Sequence, residues 1–575
     1  MTPASDPLSL ATNRPDDLHR VRDVLDRADY DYTSVFERIA TRRAKELSLS
    51  PRDRPRLLRL TRDADPQAVL IRLFLIGAPV PLEDFRRTVT PMDPDDWASL
   101  GLVDIVGDAV RRRLLVRPFG PFILAHDPQA NDATPRPDIV PGVSSTTMAC
   151  ASMLVRPRAG RALDLGTGSG YLALLYAGHC REVLATDVNP RAVALARLNA
   201  ILNRIDHIKA AQGSLFEPAG GQRFDLIGSN PPFVVSPAEG PMYRDSGLHG
   251  DAITEQIVRN APAHLNEGGF AQVICNWARI AGENWLDRLS GWLEDSGCDV
   301  WIVHSYSEDP GDYAQHWVAH PGAASPDAIA DEFDRWMDYY QRNRIEAIDA
   351  GIISLRRRSG GPNWVRIDQE SDPALYPGEA ILRGFAAHDL IEQIQDDANL
   401  LAMRLRCRPE VTVSQRLEPT ETGWTVAGAR CTLGGGLAFE GGVNPLVFHL
   451  LTLCRGQRPP RRRPERGGRA PRPDPGRGPP RGARRRAPTH AARIPLAGRP
   501  AAHSLGVRGP RRREPERVFL RGEDHRQNPE RDDPGSNAIP RKLSDPWTEG
   551  LGCRSRQCCG RPIDSRPSWG PALAY

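Results

Sequence analysis

The chain has 575 residues, and its 76 basic and 72 acidic side chains leave a formal net charge of +4. That near balance hides two parts: residues 455–575 carry 29 basic and 12 acidic side chains (net +17), which leaves 47 and 60 (net −13) for residues 1–454. An acidic body has no global basic field to draw in nucleic acid, no apolar run approaches the ~18 residues of a membrane span, and the first seven of the ten cysteines form no CxxC pair, which argues against zinc.

The N-terminal MTPASDPLSLATNRPDD lacks the basic start and apolar stretch of a signal peptide, so a soluble protein of a reducing, cytoplasmic compartment is expected. Leu18, Val21, Val24 and Leu25, then Val35, Phe36 and Ile39, recur at helical spacing. Pro66 and Pro81 open two further helical segments, and DPDDWASLGLV reads as a third with acidic residues at its start. VRRRLLVRPF and PFILAHD read as two strands split by a Pro- and Gly-containing turn. Three short helices and a hairpin outline a winged helix over residues 1–130; a helical cap on the next domain is the alternative.

From 139 onward strands and helices alternate, which predicts a parallel α/β sheet over residues 131–370. RALDLG, EVLATD, HIKAAQG, FDLIGSN and GGFAQVICNW read as strands. YLALLYAGH, PRAVALARLNAILN and NWLDRLSGWLEDSG read as helices, and residues 352–368 as a closing hairpin. Residues 371–454 form a smaller α+β unit with VTVSQRL and GWTVAGARCTL as strands.

Residues 455–575 hold only 12 Ile, Leu, Val and Phe but 35 Pro and Gly, too little apolar surface to build a core. This tail is expected to be disordered, either as an Arg-rich anion-binding segment or as an out-of-frame product. The second reading fits a chain with 3 lysines against 73 arginines, whose apolar pattern stops after Cys454.

Chemistry concentrates at three strand ends. Asp164-Leu-Gly-Thr-Gly-Ser-Gly170 lies between a strand and a helix, where glycines permit a tight turn and close approach to a ligand. Asp164, Gly166, Thr167, Gly168 and Gly170 are therefore candidate cofactor residues. The next strand ends in Asp187, placed to accept hydrogen bonds from a ribose diol. Both features fit NAD or S-adenosylmethionine, and the GxGxG spacing leans towards the latter. The fourth strand runs into Asn230-Pro231-Pro232-Phe233. Two prolines forbid a helix and carry no N–H, so the Asn230 side-chain oxygen and the Pro231 carbonyl are free acceptors for a planar amine or amide. Phe233 can stack on that planar group.

These motifs resemble the class I S-adenosylmethionine-dependent methyltransferases with an NPPY/F signature. Within that group SNPPFVVSPAEG…GLHGDAITEQIV is similar to the HemK-type protein-glutamine methyltransferases. The resemblance covers residues 140–275. It implies a Rossmann-like class I methyltransferase sheet, S-adenosyl-L-methionine as cofactor, Asn230 touching both cofactor and substrate, and methyl transfer to a glutamine amide of a translation release factor. Relatives with the same signature methylate exocyclic amines of rRNA, tRNA or DNA bases, and fold and motif do not separate these substrates. The chain departs from the pattern after the third strand, where Ser214 stands in place of an acidic residue that contacts adenine in relatives.

Overall fold

The computed structural model describes residues 10–40, 51–128, 138–237, 248, 250–318, 325–369, 378–394, 396–434 and 440–454. Helix α1 (Pro15–Arg27) carries a proline and two aspartates in its first turn and buries Leu18, Val21, Val24 and Leu25. α2 (Tyr32–Ile39) is capped by Asp31, whose carboxylate accepts from the Thr33 and Ser34 amides. α3 (Arg54–Leu60) follows, and Pro66 starts α4 (Pro66–Leu70) under an Asp65 cap. The expected helix then widens into a π-turn over Ile71–Ile76. Arginines satisfy its last carbonyls: Arg112 donates to Phe74 O (2.6 Å) and Leu75 O (3.1 Å), and Arg54 to Ile76 O (2.7 Å).

Strand β1 (Val80–Pro81), helices α5 (Leu82–Val89) and α6 (Pro94–Ser99), and strands β2 (Val103–Val106) and β3 (Ala109–Arg112) come next; the three strands pair in the order β1-β3-β2. β4 (Leu115–Phe119) and β5 (Phe122–His126) make a separate hairpin. The run expected as one strand from Val110 to Phe119 is thus two. Leu114 turns fully into the core and the Arg113 amide bonds Leu102 O, which bends the chain between them.

After α7 (Ser145–Met153) the sheet begins: β6 (Ala159–Leu165), α8 (Tyr171–Ala177), β7 (Cys180–Asp187), α9 (Pro190–Leu202), β8 (Ile208–Gln212) and β9 (Phe224–Ser229). Helix α9 is apolar nearly all round, as a helix buried on both sides must be. Ala192, Leu195, Leu198 and Leu202 join the core of the N-terminal helices, while Val193 and Ala196 face the sheet. Its Asn199 and Asn203 extend the hydrogen bonding of β5. Asn199 Oδ1 accepts from Ala125 N (2.7 Å) and its Nδ2 donates to Ala125 O (2.8 Å), and Asn203 repeats the pattern on Ile123.

α10 (Ala252–Asn260), β10 (Leu265–Ile280), α11 (Trp285–Leu293), β11 (Cys298–Glu308), α12 (Pro310–Val318), α13 (Pro326–Arg342), β12 (Ile345–Arg357) and β13 (Val365–Gln369) complete an eight-stranded sheet of order β13-β11-β12-β10-β9-β6-β7-β8. The sheet is mixed rather than parallel: β12 runs antiparallel between β10 and β11. The hairpin expected over 352–368 does not form. Both edges of β12 are already paired, so β13 passes to the far side of β11 and pairs with it in parallel. Each face is covered. α10 and α11 pack Ile257, Val258, Leu289 and Trp292 on one; on the other, α14 (Gly378–Gln393) adds Ile381 and Phe385 beside Trp301.

α15 (Asp397–Ala402), the three-stranded sheet of β14 (Val411–Thr420), β15 (Gly423–Leu433) and β16 (Glu440–Val443), and α16 (Pro445–Leu453) follow. Here Trp424, Val426, Leu446 and Leu450 are exposed. The expectations for the tail 455–575 lie outside the described residues, as does nearly all of the stretch 238–249. No helix among the described residues is long and apolar enough to cross a membrane.

Candidate active site

The carboxyl ends of β9, β6, β7 and β8 stand side by side: Leu165 pairs with Ser229 on one side and Thr186 on the other, and Asp187 with Gln212. Open α/β sheets bind ligands along such an edge. Asn230, Asp164, Asp187 and Ser214 therefore follow one another in that order along one edge of the sheet.

The Asp164–Gly170 loop is built around a buried carboxylate. Asp164 Oδ2 accepts from Thr167 Oγ1 (2.6 Å) and Ala173 N (2.9 Å), which fixes the turn into α8. Thr167 is thus a strut on Asp164. Asp164 Oδ1 is buried and has no hydrogen-bond partner among the described residues. Burial pushes the carboxyl up to about 7, Thr167 and Ala173 pull it back, and the charge of Asp187 adds to the rise. Gly166, Gly168 and Gly170 take φ values of +75°, +54° and +86°, which side chains with a Cβ rarely adopt. A Cβ on Gly168 would meet nothing within 4 Å, so this turn faces open space. A Cβ on Gly170 would lie 3.1 Å from Ala196 Cα, so that glycine serves the contact of the loop with α9.

Asp187 is held by backbone donors. Its Oδ2 accepts from Gly168 N (3.0 Å) and its Oδ1 from Asn189 N (2.9 Å), which locks the strand end to the glycine loop. Burial raises its carboxyl, against the lowering effect of those amides. Ser214 lies beyond β8, exposed, with its amide donating to Glu217 Oε2 (3.0 Å). An acidic group therefore stands near the position where the sequence has serine, three residues on. Ser214 is the candidate farthest across the sheet order from the Asn-Pro-Pro-Phe turn.

That turn lies against the glycine loop: a Cβ on Gly166 would be 4.0 Å from Pro231 Cα. Asn230 Nδ2 donates to Thr147 Oγ1 (3.1 Å), and no donor to its Oδ1 is present among the described residues. With the NH2 end engaged, the oxygen is left to accept. Thr147 sits in the first turn of α7, capped by Ser144 Oγ, which accepts from the Thr147 amide (3.1 Å). The Ser144–Thr147 segment is thus both an N-cap and the support of Asn230, by a contact that spans 83 residues. Pro231 is buried, and Phe233 is half-buried against the core that holds Leu165 and Ile227.

Among the described residues no cluster of His, Cys, Asp or Glu could hold a metal ion. The residues present do fit an S-adenosylmethionine-like cofactor. A buried carboxylate oxygen without a partner, a glycine turn with open space beside it and a second carboxylate at the next strand end lie together at this edge of the sheet.

A Rossmann-like sheet with a glycine turn, two strand-end carboxylates and an Asn-Pro-Pro-Phe turn defines a class I methyltransferase domain. Residues 142–290 match the family model of the methyltransferase small domain, and residues 27–113 match a Domain of unknown function (DUF7059). The methyltransferase domain is similar to the release factor glutamine methyltransferase of Geobacter sulfurreducens (38% identity over 130 residues, 20% of this chain and 45% of that one). It is similar also to that of Xylella fastidiosa (36%, 23% and 52%) and to the ribosomal protein uL3 glutamine methyltransferase of Bradyrhizobium diazoefficiens (35%, 25% and 50%). The chain spans about half the length of these curated relatives.

Proposed function

We propose that the chain transfers a methyl group from S-adenosylmethionine to the side-chain amide nitrogen of a glutamine in a protein of the translation apparatus, and so acts in the cytoplasm. The observation that carries this reading is the Asn230 amide, whose nitrogen end donates to Thr147 and leaves its oxygen to accept, in a turn that lies against the glycine loop. The similarity to glutamine methyltransferases of release factors and of uL3 supports the substrate class.

Asp164, Gly168 and Asp187 would hold the cofactor, which supplies a methyl group made electrophilic by its sulfonium. Asn230 Oδ1 and the Pro231 carbonyl each accept one N–H of the target amide. They point the nitrogen lone pair at the methyl position and favour the pyramidal nitrogen over the planar one, which is preferential binding of the transition state. Such alignment accounts for about 7–11 kcal/mol of a barrier in well-oriented reactions. The nitrogen would take the methyl carbon as its bond to sulfur breaks, and would then shed one N–H proton to solvent by way of the acceptor that holds it, Asn230 Oδ1 or the Pro231 carbonyl. Phe233 stacks on the planar group and holds substrate and transition state nearly alike.

A nucleic-acid base has a similar planar NH2 group, but two of the three arginines in the run Arg111–Arg113 have partners within the fold. Arg112 caps the π-turn and Arg113 lies 3.6 Å from Asp104, which leaves Arg111 exposed. Transfer of labelled methyl groups into cell extract, followed by protease or nuclease digestion, tests the assignment. Label released by protease is expected; label released only by nuclease would make the base the substrate.

A further inference from the structure

The Asn-Pro-Pro-Phe turn continues into Val234 and Val235, and the backbone of Val235 is gripped at both of its polar groups. Its N–H donates to Tyr313 Oη at 3.3 Å, and its carbonyl accepts from Tyr340 Oη at 2.9 Å. Val235 and both phenols are buried. Tyr313 belongs to α12 and Tyr340 to α13, the two helices inserted between β11 and β12. Tyr313 Oη also accepts from Asn276 Nδ2 at 2.7 Å. Asn276 lies on β10 three residues past Val273, the residue that pairs with Ser229 at the end of β9. At ~3.3 Å per residue, Asn276 therefore stands roughly 10 Å past the end of β9, on a strand that runs on to Ile280. β10 stands there as a wall on which Tyr313 rests. Trp336 fills the space between the two tyrosines, with ring centroids 6.5 Å from Tyr313 and 6.2 Å from Tyr340, and the whole group packs on Val234 and Val235.

We infer that Tyr313, Tyr340 and Asn276 are positioning residues for the amide-accepting turn, so that the α12–α13 insertion sets where Asn230 Oδ1 and the Pro231 carbonyl point. The inference rests on the function proposed above. A turn whose two prolines supply no N–H cannot hold itself by local hydrogen bonds on that side. Its upstream end is fixed by β9 and Thr147, and its downstream end by the two hydroxyls. A misplacement of ~1 Å at reacting groups can cost ~100-fold in rate, so a grip on the backbone five residues from Asn230 is close enough to matter.

The test uses the full chain with Tyr340→Phe, Tyr313→Phe and the double variant, which keep the rings and remove only the hydroxyls. Three quantities are read: kcat and KM for methyl transfer to a glutamine-bearing protein substrate, S-adenosylmethionine affinity by calorimetry, and amide hydrogen exchange of peptides covering 229–236 and 163–170. The expected result is a kcat about tenfold lower in each single variant and lower still in the double one. Cofactor affinity should be unchanged, with faster exchange confined to 229–236. Unchanged exchange there would overturn the clamp. Exchange that quickens with kcat intact would overturn its role in positioning, as would a fall in kcat matched by an equal fall in cofactor affinity. If the wild-type chain methylates no glutamine, the functional reading fails by itself, and the exchange data still decide whether the hydroxyls hold the turn.

Discussion

The two loops that meet in the crevice are stiffened by opposite means. The glycine loop, Asp164–Gly170, gains its shape from short-range contacts: Asp164 bonds Thr167 and Ala173, and Asp187 bonds Gly168, all within 23 residues. The Asn230–Val235 turn is held by partners far away in sequence: Thr147 at 83 residues, Tyr313 at 78 and Tyr340 at 105. One loop carries its own geometry and leaves a buried oxygen unpartnered. The other is rigid at its prolines but has to be aimed by the rest of the fold. On the proposed function, cofactor capture would be a local property of the chain, whereas substrate alignment would depend on the fold as a whole.

The largest expected effect lies on the second loop. Asn230→Ala removes one of two acceptors for the target nitrogen and leaves the strand-end carboxylates alone. A fall in kcat of about a hundredfold is expected, equivalent to ~3 kcal/mol of transition-state contact. Cofactor affinity should stay near normal. Steady-state kinetics paired with calorimetry would break the contrast between the loops if both quantities fell together.

On the first loop the effects should reverse. Asp187→Ala is expected to lose about 1.5–3 kcal/mol of S-adenosylmethionine binding, the range for hydrogen bonds to charged groups. Calorimetry on the folded variant reads this directly, and unchanged affinity would remove Asp187 from the cofactor site.

Asp164 sharpens the comparison through pH. Its carboxyl is pushed up to about 7 from an ordinary 3.8, chiefly by burial. Between those values the folded chain holds a proton that the unfolded chain has released, so this group makes stability fall as pH rises from about 4 to about 7 and adds no further change above. An ionised carboxylate is the better acceptor, so cofactor affinity should rise by up to about tenfold per pH unit below pH 7 and level off above it. Asp164→Asn should bind more weakly and flatten this profile. A variant that keeps the wild-type slope would mean another group titrates.

Phe233 should give the smallest change. Loss of a stacked ring in Phe233→Ala is expected to raise KM severalfold with kcat little altered, since stacking of about 0.5–1.5 kcal/mol is present before and during transfer. Phe233→Tyr should behave as the wild type. A loss of kcat in the alanine variant without a change in KM would place the ring in the reaction geometry itself.

The same division explains what the sequence made legible. Strand ends that carry Asp164, Asp187 and Asn230 are marked by glycine, acid and proline at fixed distances, and helices such as α9 announce themselves by Pro190 and apolar spacing. What the sequence hid depends on tertiary neighbours. The π-turn at Ile71–Ile76 exists because Arg112 and Arg54 satisfy its carbonyls. β13 cannot pair with β12 because β10 and β11 already occupy both edges, and no local pattern records that occupancy. Thr147 reads as part of an N-cap from its neighbours, and its second task appears only when α7 is brought beside β9.

The most direct measurement is tandem mass spectrometry of the product formed when the purified chain acts on a protein of the translation apparatus with methyl-labelled S-adenosylmethionine. The account predicts a single added methyl group on the side-chain amide nitrogen of a glutamine, absent from the reaction run with Asn230→Ala. A methyl group on a nucleic-acid base, or on a protein side chain without a planar NH2 group, would contradict it.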